Sequence, residues 1–168
     1  MQRLINDVME LHKKMGAPIN DHLDYTHSLT RMRFLLEELE ETINACGHKL
    51  QSVNLTDCDA VDVFEDKKEK NDEEILDGLV DLVYVAIGTV IYFGYHNQRF
   101  KTDNVTIFEE AWERVHRANM LKIPVKSAAE SKRGTEFDLI KPKGWQKPEF
   151  GDLIKHIKKG ESDEKCNN

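Results

Sequence analysis

The stretch Glu74–Tyr95, EILDGLVDLVYVAIGTVIYFGY, limits what this chain can fold into more than any other. Wound at about 100° per residue, it places Leu76, Leu79, Val80, Leu82, Val83, Val85, Ala86, Ile87 and Val90 around most of its circumference. A helix apolar nearly all round is normally a buried one, so a central helix enclosed by others is expected. One narrow stripe escapes, holding Glu74, Asp77 and Asp81 and continued by Tyr84 and Gly88. Carboxylates taken out of water are costly unless they are paired or bind metal. The stripe is therefore either a solvated edge of the helix or a place for chemistry.

The rest of the chain reads as all-α around that helix. Leu4, Ile5, Val8, Met9 and Leu11 recur at helical spacing over residues 1–15, and Gly16 and Pro18 end that helix. A second helix is expected to begin near Tyr25–Leu29, with Thr26 or Ser28 as N-cap, and to reach about Cys46. Its apolar face is Met32, Leu35, Leu36, Leu39 and Ile43, and Gly47 stops it. From His48 to Asp72 periodicity fades under the charges of EDKKEKNDEE, which predicts a partly mobile connection with a helical turn near Ala60–Phe64. Thr106 and Glu109 have capping-box spacing at the head of a fourth helix that runs to Met120, with Phe108, Ala111, Trp112 and Val115 toward the core. KIPVK and EFDLIK could form a small hairpin at most, and the tail ESDEKCNN beyond Gly160 is expected to be disordered. The expected fold is an all-α bundle of four to five helices with an irregular C-terminal extension. One domain spans 1–150, including the charged connection 48–72, and a polar tail spans 151–168.

Composition narrows the partners. A formal net charge of -7 over 168 residues argues against nonspecific binding to nucleic acid or to an anionic membrane. It leaves room for a phosphorylated small molecule, since carboxylates can hold the metal that holds the phosphate. No signal peptide is visible, and Asp81 interrupts the apolar run of the key helix too early for a comfortable membrane span. Cys46, Cys58 and Cys166 are odd in number and lack CxxC spacing, which fits reduced thiols in the cytoplasm. Cys46, His48 and Cys58 lack a fourth zinc ligand at a familiar spacing.

The second helix has acids of its own. Glu37, Glu38 and Glu41 share one face, nearly opposite the Met32/Leu39/Ile43 stripe. Taken alone they read as a solvated face. Yet Phe34 and Ala45 share that face, and like charges at this spacing destabilise a helix when nothing neutralises them. Two antiparallel helices carrying EExxE and ExxD could bring Glu37, Glu38, Glu41, Glu74 and Asp77 to one pocket. Such a cluster would repel itself and raise several pKa values. Oxygen-rich sites of this kind suit Mg²⁺, or Mn²⁺ in its place. A bound Mg²⁺ keeps waters and takes substrate phosphates, so it can activate a water beside the phosphate it attacks.

Glu37-Glu38-x-x-Glu41 followed by Glu74-x-x-Asp77 resembles the signature of the all-α nucleoside triphosphate pyrophosphohydrolases, the MazG-like group. Longer stretches resemble the phosphoribosyl-ATP pyrophosphatase-like branch. These are the entry segment DVMELHKKMGAPIND, the helix DGLVDLVYVAIGTVIYFG, the segment FEEAWERVHRANMLKIPVK and the closing IKPKGWQKPEF. The likeness covers most of residues 1–150 in order; the charged connection after Gly47 is longer than in compact members. The resemblance implies hydrolysis of a nucleoside triphosphate between the α and β phosphates, giving the monophosphate and pyrophosphate. It implies Glu37, Glu38, Glu41, Glu74 and Asp77 as Mg²⁺ ligands, with Glu38 or Glu41 also orienting the attacking water. Asp81 would be a ligand or would orient one. Asn119, Lys122 and Lys143 would contact phosphate or sugar, and Tyr84 would either line the base or sugar pocket or pack as a core aromatic. Phosphoribosyl-ATP and dUTP or dUDP are alternative substrates within the superfamily.

Two other classes compete. A ferritin-like di-iron site needs Glu-x-x-His on two helices, and Glu113-x-x-His116 occurs here once. A non-enzymatic helical interaction module would pair the acids with Arg31, Arg33 or Arg114, yet leaves Asp77 and Asp81 on an otherwise apolar helix unexplained. A homodimer or homotetramer is expected, because a second copy would cover apolar surface that one short bundle leaves open.

Overall fold

A computed structural model of the chain describes residues 1–20, 22–55, 58–97, 99–100 and 105–156. The long helices fall where the periodicity put them. Helix α1 is Gln2–Met15, ended by Gly16 in the left-handed conformation (φ 67°). Helix α2 is Ser28–Ala45, but His27 occupies its N-cap without a side-chain cap bond, so neither Thr26 nor Ser28 serves. Helix α3 is Asp72–Tyr92, capped by the Asn71 side chain, which accepts from the Glu73 and Glu74 N–H groups. Helix α4 is Ile107–Met120, opened by the full Thr106–Glu109 capping box.

The connection between α2 and α3 corrects the expectation. Strands β1 (His48–Leu55) and β2 (Cys58–Glu65) pair antiparallel, with Leu50 opposite Val63 and Lys49 opposite Phe64. The predicted helical turn at Ala60–Phe64 is strand instead. The alternation Val61-Asp62-Val63 is a strand period, and the high charge that follows it hid the signal. The hairpin base is tied to the end of α2. Asp66 N–H donates to Gly47 O at 3.0 Å, and Asn71 N–H donates to Ala45 O at 3.0 Å. Gly47 (φ 76°) is needed there, since a Cβ would sit 2.7 Å from Lys68 O.

Contacts divide the chain into two compact units, Met1–Gly94 and Tyr95–Asn168, where the sequence reading drew one domain over 1–150. In the first unit α3 packs on both α1 and α2. The face that α2 offers to α3 is not the apolar one. Arg31, Thr42 and Ala45 are its buried residues, while Met32, Leu36 and Leu39 are exposed. Gly78 of α3 meets Thr42 so closely that a Cβ would stand 2.5 Å from Thr42 Oγ1. This close approach fixes the crossing of the two helices. Helix α3 likewise departs from the fully enclosed helix expected. Leu76, Leu79, Val80 and Val83 are 66%, 51%, 53% and 51% exposed. The hydrophobic pattern marks surfaces that leave water, and a single copy of this unit does not cover them all. By length and composition α3 is also apolar enough to cross a membrane.

In the second unit, Ile107 and Ala118 are the buried residues of α4, whereas Trp112 and Val115 from the expected core side are exposed. The small hairpin allowed by the alternation forms as β3 (Ile123–Pro124) against β4 (Leu139–Ile140). A short helix α5 occupies 151–156, and Leu153 on it is buried. Arg114 of α4 donates to both Asp152 carboxylate oxygens, at 2.6 and 2.8 Å, and holds that carboxyl well below the usual carboxylate range. The segment beyond Gly160 lies outside the described residues.

Candidate active site

The α2–α3 crossing brings the two acidic motifs onto one seam. Thr42 packs on Gly78. One helical turn before Thr42 stands Glu38, whose backbone carbonyl accepts from Thr42 Oγ1 at 2.7 Å. Because the helices run antiparallel, the residue across from Glu38 is Asp81. Glu38 is half-buried, and its carboxyl is pushed above the ordinary value of 4.5, first by burial, then by the charge of Asp81, then by Glu41, Glu37 and Asp77. Burial and surrounding like charge both disfavour the ionised form. Acids of both helices thus act on one point.

Beside that point opens a cleft of about 920 Å³. Glu41, Glu74, Asp77 and Asp81 line it, with Asn44 from α2 and Lys68, Lys70 and Asn71 from the segment leading into α3. Among the described residues, no lysine or arginine forms an ion pair with Glu37, Glu38, Glu41, Glu74, Asp77 or Asp81. Nor do any three His, Cys, Asp or Glu side chains, among the described residues, already stand close enough to hold a metal ion.

A basic residue does lie on the same seam. Arg31 is 8% exposed. Its Nη2 donates to Val85 O at 2.8 Å, its Nε donates to Thr89 Oγ1 at 3.2 Å, and the Phe34 and Tyr92 rings flank it at 5.4 and 5.3 Å. His12 and Gly88 close the pocket, since a Cβ on Gly88 would meet Arg31 Nη2 at 2.8 Å and His12 Nε2 at 3.2 Å. Burial lowers the proton affinity of both Arg31 and His12. Among the described residues, neither Arg31 nor Arg33 forms the ion pair with these acids that a purely structural cluster would use.

The family model for phosphoribosyl-ATP pyrophosphohydrolase matches residues 8–119, from within α1 to the last turn of α4. The chain belongs to that family. This places it in the MazG-like all-α NTP pyrophosphatase superfamily and makes it a pyrophosphohydrolase, an enzyme acting on phosphorus-containing anhydrides. The match takes in all six acids of the seam and stops before Lys122. No curated protein matches the chain.

Tyr84 does not line the acidic cleft. Its ring borders an apolar groove of about 260 Å³ between α1 and α3, and its hydroxyl donates to Asp7 O at 3.3 Å, as a packed aromatic with a satisfied hydroxyl would. Asn119 and Lys122 meet in the second unit, where Lys122 Nζ donates to Asn119 Oδ1 at 2.8 Å. Lys143 is exposed there. Sequence reasoning missed Gly78 and Thr42 as the pivot of the seam. A glycine inside a strongly apolar helix was the available signal, since it often marks a close approach.

Proposed function

We propose that the acidic seam binds Mg²⁺ and hydrolyses a nucleotide polyphosphate between its α and β phosphates. The observation that carries this reading is the α2–α3 seam, where Glu41, Glu74, Asp77 and Asp81 line one open cleft beside Glu38 and, among the described residues, no lysine or arginine forms an ion pair with them. The donors fit a hard divalent ion, being carboxylate oxygens beside an open cleft. Glu37, Glu38, Glu41, Glu74 and Asp77 would hold it, with Asp81 as a further ligand or as the group orienting Glu38. Bound there, Mg²⁺ or Mn²⁺ would screen the phosphate oxygens and lower the pKa of an attacking water.

The chain's own groups supply the rest. Glu38, where acids of both helices meet, is placed to take the proton of the water. Glu41, one turn along the same face, holds that water. The water oxygen bonds to phosphorus, the bridging P–O bond breaks, and pyrophosphate leaves with that bond's electron pair. The monophosphate is the other product. Lys70 on the rim offsets the negative charge of an incoming polyphosphate.

A nucleoside or deoxynucleoside triphosphate is one substrate reading; the family match favours phosphoribosyl-ATP at least as strongly. A panel of NTPs, dNTPs, dUDP and phosphoribosyl-ATP, assayed with Mg²⁺ and with EDTA, tests both. Pyrophosphate release that needs Mg²⁺ is expected, and the best substrate chooses between the readings. Orthophosphate as sole product, or turnover indifferent to chelator, contradicts the proposal. The exposed apolar side chains of α3 support a homodimer or homotetramer, and the free thiol of Cys46 and the net charge of -7 support a cytoplasmic enzyme without membrane or nucleic-acid partners.

A further inference from the structure

Helices α3 and α4 both carry a glutamate three residues after the N-cap, and they use it differently. On α4, Thr106 Oγ1 accepts from the Glu109 N–H at 3.2 Å, and the Glu109 carboxylate accepts from the Thr106 N–H at 3.0 Å. That reciprocal box satisfies two donors and spends the carboxylate. On α3 the spacing Asn71-x-x-Glu74 is the same. The Asn71 side chain accepts from the Glu73 and Glu74 N–H groups at 3.2 and 3.4 Å. The Asn71 N–H, however, donates to Ala45 O at the end of α2, at 3.0 Å. The donor that a capping box would offer to Glu74 is already taken. Its carboxylate is thereby left to the cleft, which Glu74 lines together with Asn71 and Ala45.

Ala45 lies four residues after Glu41, on the same face of α2. Asn71 therefore joins the two acidic motifs directly. Its N–H holds the turn of α2 that carries Glu41, and its side chain holds the first turn of α3, which carries Glu74. The covalent path between them instead runs out along β1 and back along β2, and returns where Asp66 N–H closes on Gly47 O. The N–H groups of a first turn lack intrahelical partners, and a turn that loses its cap frays. Fraying there would move Glu74 while leaving Glu37, Glu38 and Glu41 in place on α2. An ordinary cap would only add stability to its own helix. The bond to Ala45 sets Asn71 apart, because it ties that cap to the other half of the site.

We propose that Asn71 is a positioning residue of the carboxylate site, which sets where Glu74 stands relative to Glu41 and keeps the Glu74 carboxylate out of a capping box. The role rests on the Mg²⁺ site proposed above. Groups that orient metal ligands in this way contribute about 10–100-fold to metal affinity.

Calorimetric titration of Mg²⁺ into the metal-free protein, with melting temperatures measured alongside, tests this. Asn71→Ala should bind about tenfold more weakly than wild type. Asn71→Ser keeps an uncharged side-chain acceptor at the cap and should bind within about threefold of wild type. Asn71 is exposed, so these variants fold. Thr106→Ala removes the corresponding cap from α4 and serves as the control. It should lower the melting temperature by about 2–4 °C, as Asn71→Ala should, but leave Mg²⁺ affinity within about twofold of wild type. An Asn71→Ala protein that melts lower yet binds Mg²⁺ as tightly as Thr106→Ala overturns the positioning role and leaves the Mg²⁺ site standing. Wild type that shows no saturable Mg²⁺ binding overturns both.

Discussion

Two stretches of the same seam treat charge in opposite ways. At one end Arg31 is a buried cation with no carboxylate partner among the described residues, held by a carbonyl, a hydroxyl and two aromatic faces. Seven residues later on α2, Glu38 is a half-buried acid with no cation partner among the described residues, pressed by Asp81, Glu41, Glu37 and Asp77. A protein selecting only for stability would join them, since uncompensated buried charge is costly. Here the cation is fully used as a packing element and the acids are left in deficit. The difference separates two jobs: Arg31 fastens the helices, and the acids stand where the proposed Mg²⁺ site needs them.

The largest effect should come from the acid end. Glu38→Gln and Asp77→Asn should each lower kcat about 10²–10⁴-fold, the range for losing a positioned proton acceptor, with helical circular dichroism unchanged. Folding loss in either variant would instead make the acids structural. At the other end Arg31→Ala should remove about 2–4 kcal/mol of stability in urea unfolding, because buried hydrogen bonds and ring contacts go with it. An Arg31→Ala protein as stable as wild type would deny it the fastening role. Between the two, Gly78→Ala should cost about 1–3 kcal/mol by forcing Thr42 and its helix away. Pairing it with Thr42→Ala should recover part of that loss in a double-mutant cycle, and strict additivity would show that the crossing is not where the strain falls.

The smallest effect has a sign that separates the ends further. Glu38 holds its proton more tightly in the folded chain than the ordinary 4.5. Its contribution is therefore intact below that value and is lost as pH rises through the raised one. Without metal, Glu38→Gln should melt close to wild type at pH 4 and above it at pH 7. Added Mg²⁺ should narrow the gap by stabilising the wild type. A gap that shrinks with rising pH would contradict the electrostatic account.

Much of this was legible in the residues. The four long helices and the Thr106–Glu109 cap follow from periodicity and spacing, and the same spacing led us to expect Glu37, Glu38, Glu41, Glu74 and Asp77 on one pocket. Which faces meet does not. Met32, Leu36 and Leu39 marked an apolar stripe on α2, but the stripe that packs on α3 is polar, through Arg31, Glu38 and Thr42. Hydrophobic pattern tells which surfaces prefer to leave water, not which partner covers them, and Gly78 decided the pairing by letting backbones approach. The β1–β2 hairpin was hidden for a different reason. Its alternation is short and flanked by charge, and its pairing depends on residues across a turn rather than on local propensity.

Titration of Mg²⁺ or Mn²⁺ into the metal-free protein at neutral pH, for wild type and Glu38→Gln, asks most directly whether the acid deficit is a binding site. The account predicts saturable binding to wild type and at least tenfold weaker binding to the variant. Equal binding by both proteins, or none by either, would contradict it.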